Sequence, residues 1–418
     1  MQDRRGKALG DIGKKRLYKE NWEKQQIYVY WLTSVEGIGS RTIEKLLQHA
    51  GTLKAVYEMN LPDMMEILPQ SKAKALINAK TEYDIWERYE KLEKMGICFY
   101  SVYHPDYPRR LKNIPDKPYG IYVEGELPEE GIPSIAVIGA RQCSSYGRFM
   151  AEVCGRELAK AGVNVISGMA RGIDGISQKA ALDAGGKTYA VLGCGTDICY
   201  PPENSHIYIK AKENGAVISE YPPGVPPAPR LFPRRNRIIS GLADVALIIE
   251  ARMKSGTLIT ADMALEQGKD VYVLPGRITD PLSQGCNQML KQGAGLFHSV
   301  AGLLEETGLL AQISCRKETV CNGQGQQRKT GKLPESKGQG GDEKDSVCRQ
   351  MQPEGGTAGE DTGLEKRVLN ALDFYPKDTD GLIQETRIEY RQLIRILTRL
   401  CLAGKASRLS ANHFVKRV

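Results

Sequence analysis

Between Ile132 and about Gly308 the chain repeats one cycle: a short β-rich run, a glycine-containing loop, then an amphipathic stretch. The runs are SIAVIG, NVIS, KTYAVLG, AVISE, DVALIIE and DVYVLPG. Such alternation implies βαβ units, with helices on both faces of a mostly parallel sheet. The expected class is therefore α/β, doubly wound. On the N-terminal side, residues from about Gln26 to Leu111 read as helical, with Ile43, Leu46 and Leu47 and then Leu76, Ile77, Ile85 and Tyr89 at three- and four-residue spacings. From Cys321 to Gly363 the only aliphatic residues are Leu333, Val347, Met351 and Ala358, too few to offset the entropy of ordering the segment. Helical spacing resumes at Val368, Leu369 and Leu372 and at Leu393, Ile394, Leu397 and Leu400. The expected domains are a basic extension over 1–25, a helical domain over 26–111, the sheet domain over 112–311, a linker over 312–363 and a small domain over 364–418.

A chain of 418 residues with 41% hydrophobic and 26% charged side chains can bury a large core and carry accessory domains. No stretch approaches the roughly 18 to 20 apolar residues that a membrane span needs, and the basic N-terminus has no apolar run behind it. Membrane insertion and secretion are not expected, and a cytoplasmic location is. The ten cysteines form no C-x-x-C pair and have no matched histidines, so neither a zinc site nor a disulfide framework is expected. The net charge of +8 is compatible with a polyanionic partner.

In an open parallel sheet, ligands sit beyond the carboxyl ends of the strands. The residues there share a character. SIAVIG is followed by Ala140 and Arg141, then by Ser144, Ser145, Tyr146 and Gly147; NVIS is followed by Gly168-Met169-Ala170-Arg171-Gly172-Ile173-Asp174. Later loops carry Cys194-Gly195-Thr196-Asp197, Ser255-Gly256-Thr257 and Gly276-Arg277. Small residues admit backbone N–H groups to a ligand, helix N-termini favour anions, and Arg141, Arg171 and Arg277 add full charge. The ligand implied is phosphate. FPRRNRIISGLAD extends this to a polynucleotide: Arg234, Arg235 and Arg237 offer cations, and Phe232, beside Asn236, offers a stacking face. Some of these arginines have an alternative in pairing with Asp244 or Glu250.

Other motifs fail. Gly185-Gly186-Lys187-Thr188 resembles the tail of a P-loop, but Ala181 stands where its first glycine belongs, and the segment precedes a strand. Gly193-Cys194-Gly195 starts a dinucleotide fingerprint whose last glycine would be Ile198. His206 has no recognisable catalytic companions, and Asp174, Asp197, Glu220 and Glu250 at strand ends more often cap helices or pair with arginine. Neither a catalytic set nor a cofactor is expected.

Six blocks together resemble the DNA-processing protein A family (DprA, also called Smf). They are VIGARQCSSYG from Val137, SGMARGID from Ser167, LGCGTDICYPPEN from Leu192, FPRRNRIISGLAD from Phe232, SGTLITADMALEQGKDVYVLPG from Ser255 and GCNQMLKQGA from Gly285. The resemblance implies a Rossmann-like domain that binds single-stranded DNA, self-associates as a dimer and loads the RecA recombinase in natural transformation or related recombination, without enzymatic turnover. Carried over residue by residue, the DNA contacts are Arg141, the Ser167-Gly168 turn with Arg171, and the Arg234 to Arg237 cluster; self-association falls around Asn287 and Leu290. Ser144, Gly172, Phe232, Asn236, Ser255 and Thr257 complete the expected nucleic-acid site. Two departures stand out, Gln178 where many relatives have histidine and Pro202 where some have lysine.

The flanks fit the same resemblance. VEGIGSRTIEKLL from Val35 has the turn of a helix-hairpin-helix and looks like the sterile-alpha-motif-like N-terminal domain of the family; such a turn can place amides on a phosphate, or be a tight turn without a ligand. Arg387, Arg391, Arg395 and Arg399 recur every fourth residue, similar to the basic recognition helix of a winged helix with its wing near Lys405 to Phe414. Leu364 to Val418 has 11 Lys and Arg against 6 Asp and Glu, a net of +5, which suits DNA or a protein-docking face equally. Two other functions remain open on a related sheet: a nucleotide phosphoribohydrolase, against which the missing Pro-Gly-Gly before Ser255-Gly256-Thr257 counts, and a sensor of a nucleotide signal.

Overall fold

The computed structural model describes residues 22–82, 84–313, 360–372, 377–408 and 413–416. The predicted extension over 1–25 lies almost wholly outside the described residues, as do most of the linker over 312–363 and residues 409–412 of the wing. The chain divides into two compact units, Met1–Arg316 and Lys317–Val418. Among the described residues no helix is long and apolar enough to cross a membrane.

The first unit opens with helices α1 (22–34), α2 (Ser40–Ala50), α3 (Leu53–Glu58), α4 (Leu61–Ile67), α5 (Gln70–Thr81) and α6 (Ile85–Lys94). Their starts are set locally: Thr52 and Asn60 cap α3 and α4 through their side chains. The sheet follows, with strands β1 (Cys98–Ser101), β2 (Gly120–Gly125), β3 (Ser134–Ile138), β4 (Asn164–Ser167), β5 (Thr188–Leu192), β6 (Gly215–Ser219), β7 (Val245–Ile248), β8 (Asp270–Val273) and β9 (Gly295–Leu296). Between them run α7 (Arg109–Lys112), α8 (Ser145–Ala161), α9 (Ile173–Asp183), α10 (Ser205–Glu213), α11 (Leu231–Leu242), α12 (Gly256–Glu266) and α13 (Gln284–Lys291), and α14 (Val300–Glu306) follows β9.

The strand order is β1-β2-β6-β5-β4-β3-β7-β8-β9. All neighbours from β6 to β9 pair in parallel, while β1–β2 and β2–β6 are antiparallel. The α/β class is therefore a mostly parallel sheet with an antiparallel edge. That edge corrects the sequence reading: Cys98–Ser101 falls inside the stretch expected to be helical, yet it is a sheet strand. A four-residue strand directly behind α6 has too few residues to declare a period of two.

Strands β3 to β7 are buried on both faces, which is why they read as unbroken apolar runs. Ile135 and Val137 pack with Ala151, Cys154 and Leu158 of α8 and with α14, while Ala136 and Ile138 pack with Ile238 and Ile239 of α11 and Ala261 of α12. The second apolar cluster continues without a break into Trp31, Leu46 and Leu76 of the helical segment. That segment is thus built onto the same unit as the sheet.

In the second unit, α15 (Glu360–Ala371), α16 (Thr379–Thr386) and α17 (Tyr390–Leu402) pack with a three-stranded antiparallel sheet of β10 (Lys377–Asp378), β11 (Ala406–Arg408) and β12 (His413–Lys416), ordered β10-β12-β11. Leu393, Ile396, Leu397 and Leu400 bury one face of α17. The predicted four-arginine stripe is shorter than expected. Arg387 precedes α17 in a left-handed conformation (φ 51°), and Arg399 lies 3.5 Å from Glu365 of α15. Arg391 and Arg395 are exposed on α17.

Candidate nucleic-acid interface

Outward from β3 the sheet grows through β4, β5 and β6 on one side, and the chain then returns to add β7, β8 and β9 on the other. β3 and β7 therefore form the switch point, where the crossovers leave toward opposite faces and open a crevice. A cleft of about 720 Å³ lies there, lined from the loops after all six strands β3 to β8 and from α11.

Arg141 comes from the loop after β3 and is exposed; its guanidinium stands 5.4 Å from the Phe232 ring centroid. Phe232, in the first turn of α11, also stacks on Tyr200 from the loop after β5, with centroids 5.6 Å apart and planes at 27°. Asn236 follows one turn later on the same side of α11. Ser255 and Thr257, at the start of α12, also line the cleft. The Ser255 hydroxyl is buried with no hydrogen-bond partner among the described residues, an orphaned polar atom in a residue that lines the cleft.

Several expected contacts serve the scaffold instead. Ser144 caps α8, accepting from the Gly147 amide at 3.0 Å, while its own amide and hydroxyl both donate to Glu250. Burial pushes the Glu250 carboxyl up, against those bonds. Ser167 is fully buried and donates to the Val137 carbonyl at 2.6 Å, so it faces β3 and not a ligand. The Gly168 amide donates to Asp174 at 3.2 Å. Gly172 starts α9 at φ 75°, and a Cβ there would meet the Ala140 carbonyl oxygen at 2.2 Å. Only glycine lets the loops after β3 and β4 lie this close. Arg171 does reach the cleft, but its guanidinium is shared with exposed Glu203. Gln178 is fully buried, accepting from the Met169 amide at 3.0 Å and donating to Thr188 and to the Tyr189 carbonyl, so it braces the loop after β4.

The arginine cluster is the main revision. Arg235 is 4% exposed at the floor of the cleft, with Nη1 donating to the Gly168 carbonyl at 2.9 Å and also to that of Val191. Its charge ties β4 and β5 to α11, and burial lowers its pKa to about 10, so it remains a cation at neutral pH. Arg237 lies outside the cleft, held by the Asp116 carbonyl at 2.7 Å and by Glu220 at 2.7 Å. Arg234 is exposed on the flank of α11 that faces α2. The alternative partner named from sequence, Asp244, is taken by Arg110 at 2.9 Å. Arg277 does not line the cleft. Tyr200, Gln142 and Arg252 do, and all three were missed; Tyr200 lay inside the quoted block LGCGTDICYPPEN, where an aromatic among turn residues was the available signal. Of the expected self-association residues, Asn287 binds both the amide (3.3 Å) and the carbonyl (3.0 Å) of Gly276, and Leu290 packs half-buried on the core.

Burial also holds the Asp174 carboxyl above its ordinary range, opposed by the charge of Arg235 and by the Gly168 amide. A carboxyl raised on folding contributes stability that is full below its unfolded pKa, near 3.9, and is lost as pH rises through the folded value. Asp174→Asn, which removes this titration, is expected to gain stability relative to the parent chain as pH rises from about 3.5 to 7. Urea midpoints of both proteins across that range check it, and a constant difference would contradict the shift.

The family model for the DNA recombination-mediator protein A matches residues 98–308, and that for the DprA winged helix domain matches 352–412. The chain is 44% identical over 200 residues to Protein Smf of Escherichia coli, covering 48% of this chain and 54% of that protein. It is 41% identical over 207 residues to DNA processing protein DprA of Streptococcus pneumoniae, covering 50% and 73%. It is 32% identical over 297 residues to Protein Smf of Synechocystis, covering 69% and 75%. The X-ray structure of DprA from Streptococcus pneumoniae superposes with a TM-score of 0.59 at 34% identity, over 67% of this chain and 97% of that one. The chain belongs to the DNA recombination-mediator protein A family.

Proposed function

We propose that the switch-point cleft binds single-stranded DNA and that the chain presents the bound strand to a recombinase, without turning over a substrate. The observation that carries this reading is the Arg141–Phe232–Tyr200 stack at the cleft: an aromatic face with a cation against it suits an unpaired base and its phosphate. A base held inside a duplex has no free face to offer. The Ser255 hydroxyl, buried beside the cleft without a hydrogen-bond partner among the described residues, is a further polar group at this site. Membership of a recombination-mediator family supports the hand-over to a recombinase of the RecA class, self-association as a dimer around α13, and a location in the cytoplasm.

The test is fluorescence anisotropy with single- and double-stranded oligonucleotides of equal length at several salt concentrations. Preference for the unpaired strand is expected, with log affinity falling by about 0.7 per neutralised phosphate for each decade of salt. Equal affinity for both forms would sink the proposal.

A further inference from the structure

Across α11 from the cleft lies a second cavity, of about 400 Å³, where the turn before α2 meets the sheet. Four cations face it, Arg41, Lys72, Arg234 and Arg237, with two carboxylates, Asp116 and Glu220. Both carboxylates are already engaged by Arg237, at 3.2 Å and 2.7 Å. Arg41, Lys72 and Arg234 are therefore left without an ion pair among the described residues; Lys72 has only a 3.4 Å contact with the Thr42 hydroxyl. Like charges converging on one concave space repel one another unless an anion occupies it. The backbone points the same way. Gly39 precedes the 11-residue α2 without a side-chain cap, and the Thr42 and Ile43 amides both turn back to its carbonyl, leaving the Ser40 and Arg41 amides without acceptors among the described residues. Arg234 Nη2 comes within 3.2 Å of where a Cβ on Gly39 would stand, so a side chain there would push into the guanidinium.

We propose that this cavity is a second phosphate subsite, filled by a phosphate of the strand whose bases occupy the switch-point cleft; it rests on that reading of the cleft. α11 connects the two sites: Phe232 and Asn236 face the cleft and Arg234 faces the cavity. A helix with its side chains is about 10–12 Å across, so the strand continues over α11 from the bases in the cleft to the phosphate beyond it. The phosphate is either an internal diester or the terminal monoester of a chain end, and the two share the same chemistry.

The test uses the full chain and single-stranded oligonucleotides of increasing length, each with and without a terminal phosphate. Arg41 and Arg234 are exposed and Lys72 is half-buried, so the variants Arg41→Ala/Lys72→Ala and, separately, Arg234→Ala leave the fold intact. Short oligonucleotides that fill only the cleft are expected to bind the double variant as they bind the parent chain. Longer ones lose about tenfold in affinity, and the salt slope falls by about 0.7 for each phosphate contact removed. A loss confined to phosphorylated ends assigns the cavity to a chain end, and a loss with both kinds of end assigns it to an internal phosphate. Unchanged affinity and slope at every length, in both variants, would overturn the subsite. Phe232→Ala on the same oligonucleotides reads the cleft independently, so the failure of either site is distinguishable from that of the other.

Discussion

Phe232→Ala is expected to weaken binding of single-stranded oligonucleotides by about 5- to 150-fold, the equivalent of about 1–3 kcal/mol for one stacked base. The ring has two neighbours that make it more than a greasy surface. Tyr200 extends the stack, and Arg141 places a cation 5.4 Å from the ring centroid. Arg141→Ala alone should lose a phosphate contact and the cation–π contact together, and should lower the salt slope, whereas Phe232→Ala should leave the slope almost unchanged because stacking releases no counterions. The double variant should lose less than the sum of the two single variants, since each side chain holds the other in place. Anisotropy titrations at two salt concentrations read all of this. Unchanged affinity in Phe232→Ala, with an unchanged circular dichroism spectrum, would remove the stacking face from the site.

The second large effect is on stability. Arg235→Met is expected to destabilise the first unit by about 3–5 kcal/mol, because it removes one member of a buried network and leaves the Gly168 and Val191 carbonyls and the Asp174 charge uncompensated. Arg234→Ala, one position earlier but exposed, should stay within about 0.5 kcal/mol of the parent chain. All three tryptophans, Trp22, Trp31 and Trp86, belong to the first unit, so their fluorescence in a urea titration follows that unit alone. A midpoint for Arg235→Met equal to that of the parent, together with lost DNA binding, would make Arg235 a ligand contact and not a strut.

Much of the fold was legible because strand, glycine loop and helix recur with periods short enough to be read in a single chain. The six apolar runs became β3 to β8, and the loops named from them include five of those that wall the cleft. Residues whose role is to line a strand end, such as Arg141, Ser255 and Thr257, were placed by that rule alone. β1 and β2 were not legible, because these two short antiparallel strands at one end of the sheet show neither a long apolar run nor a clear alternation in sequence.

Within FPRRNR, composition and order determined that three cations and an aromatic would stand together at the start of α11. They did not determine which way each would point. At 3.6 residues per turn, Phe232 and Asn236 share one face of the helix while Arg234 is carried to its flank, and Arg235 and Arg237 turn toward the interior. Packing against β4 and β5 then commits Arg235 to main-chain carbonyls, and Asp116 and Glu220, distant in sequence, neutralise Arg237. Charge is a property of the residue and can be read along the chain. Its availability to a ligand depends on burial and on partners brought from elsewhere, and only the tertiary structure decided that.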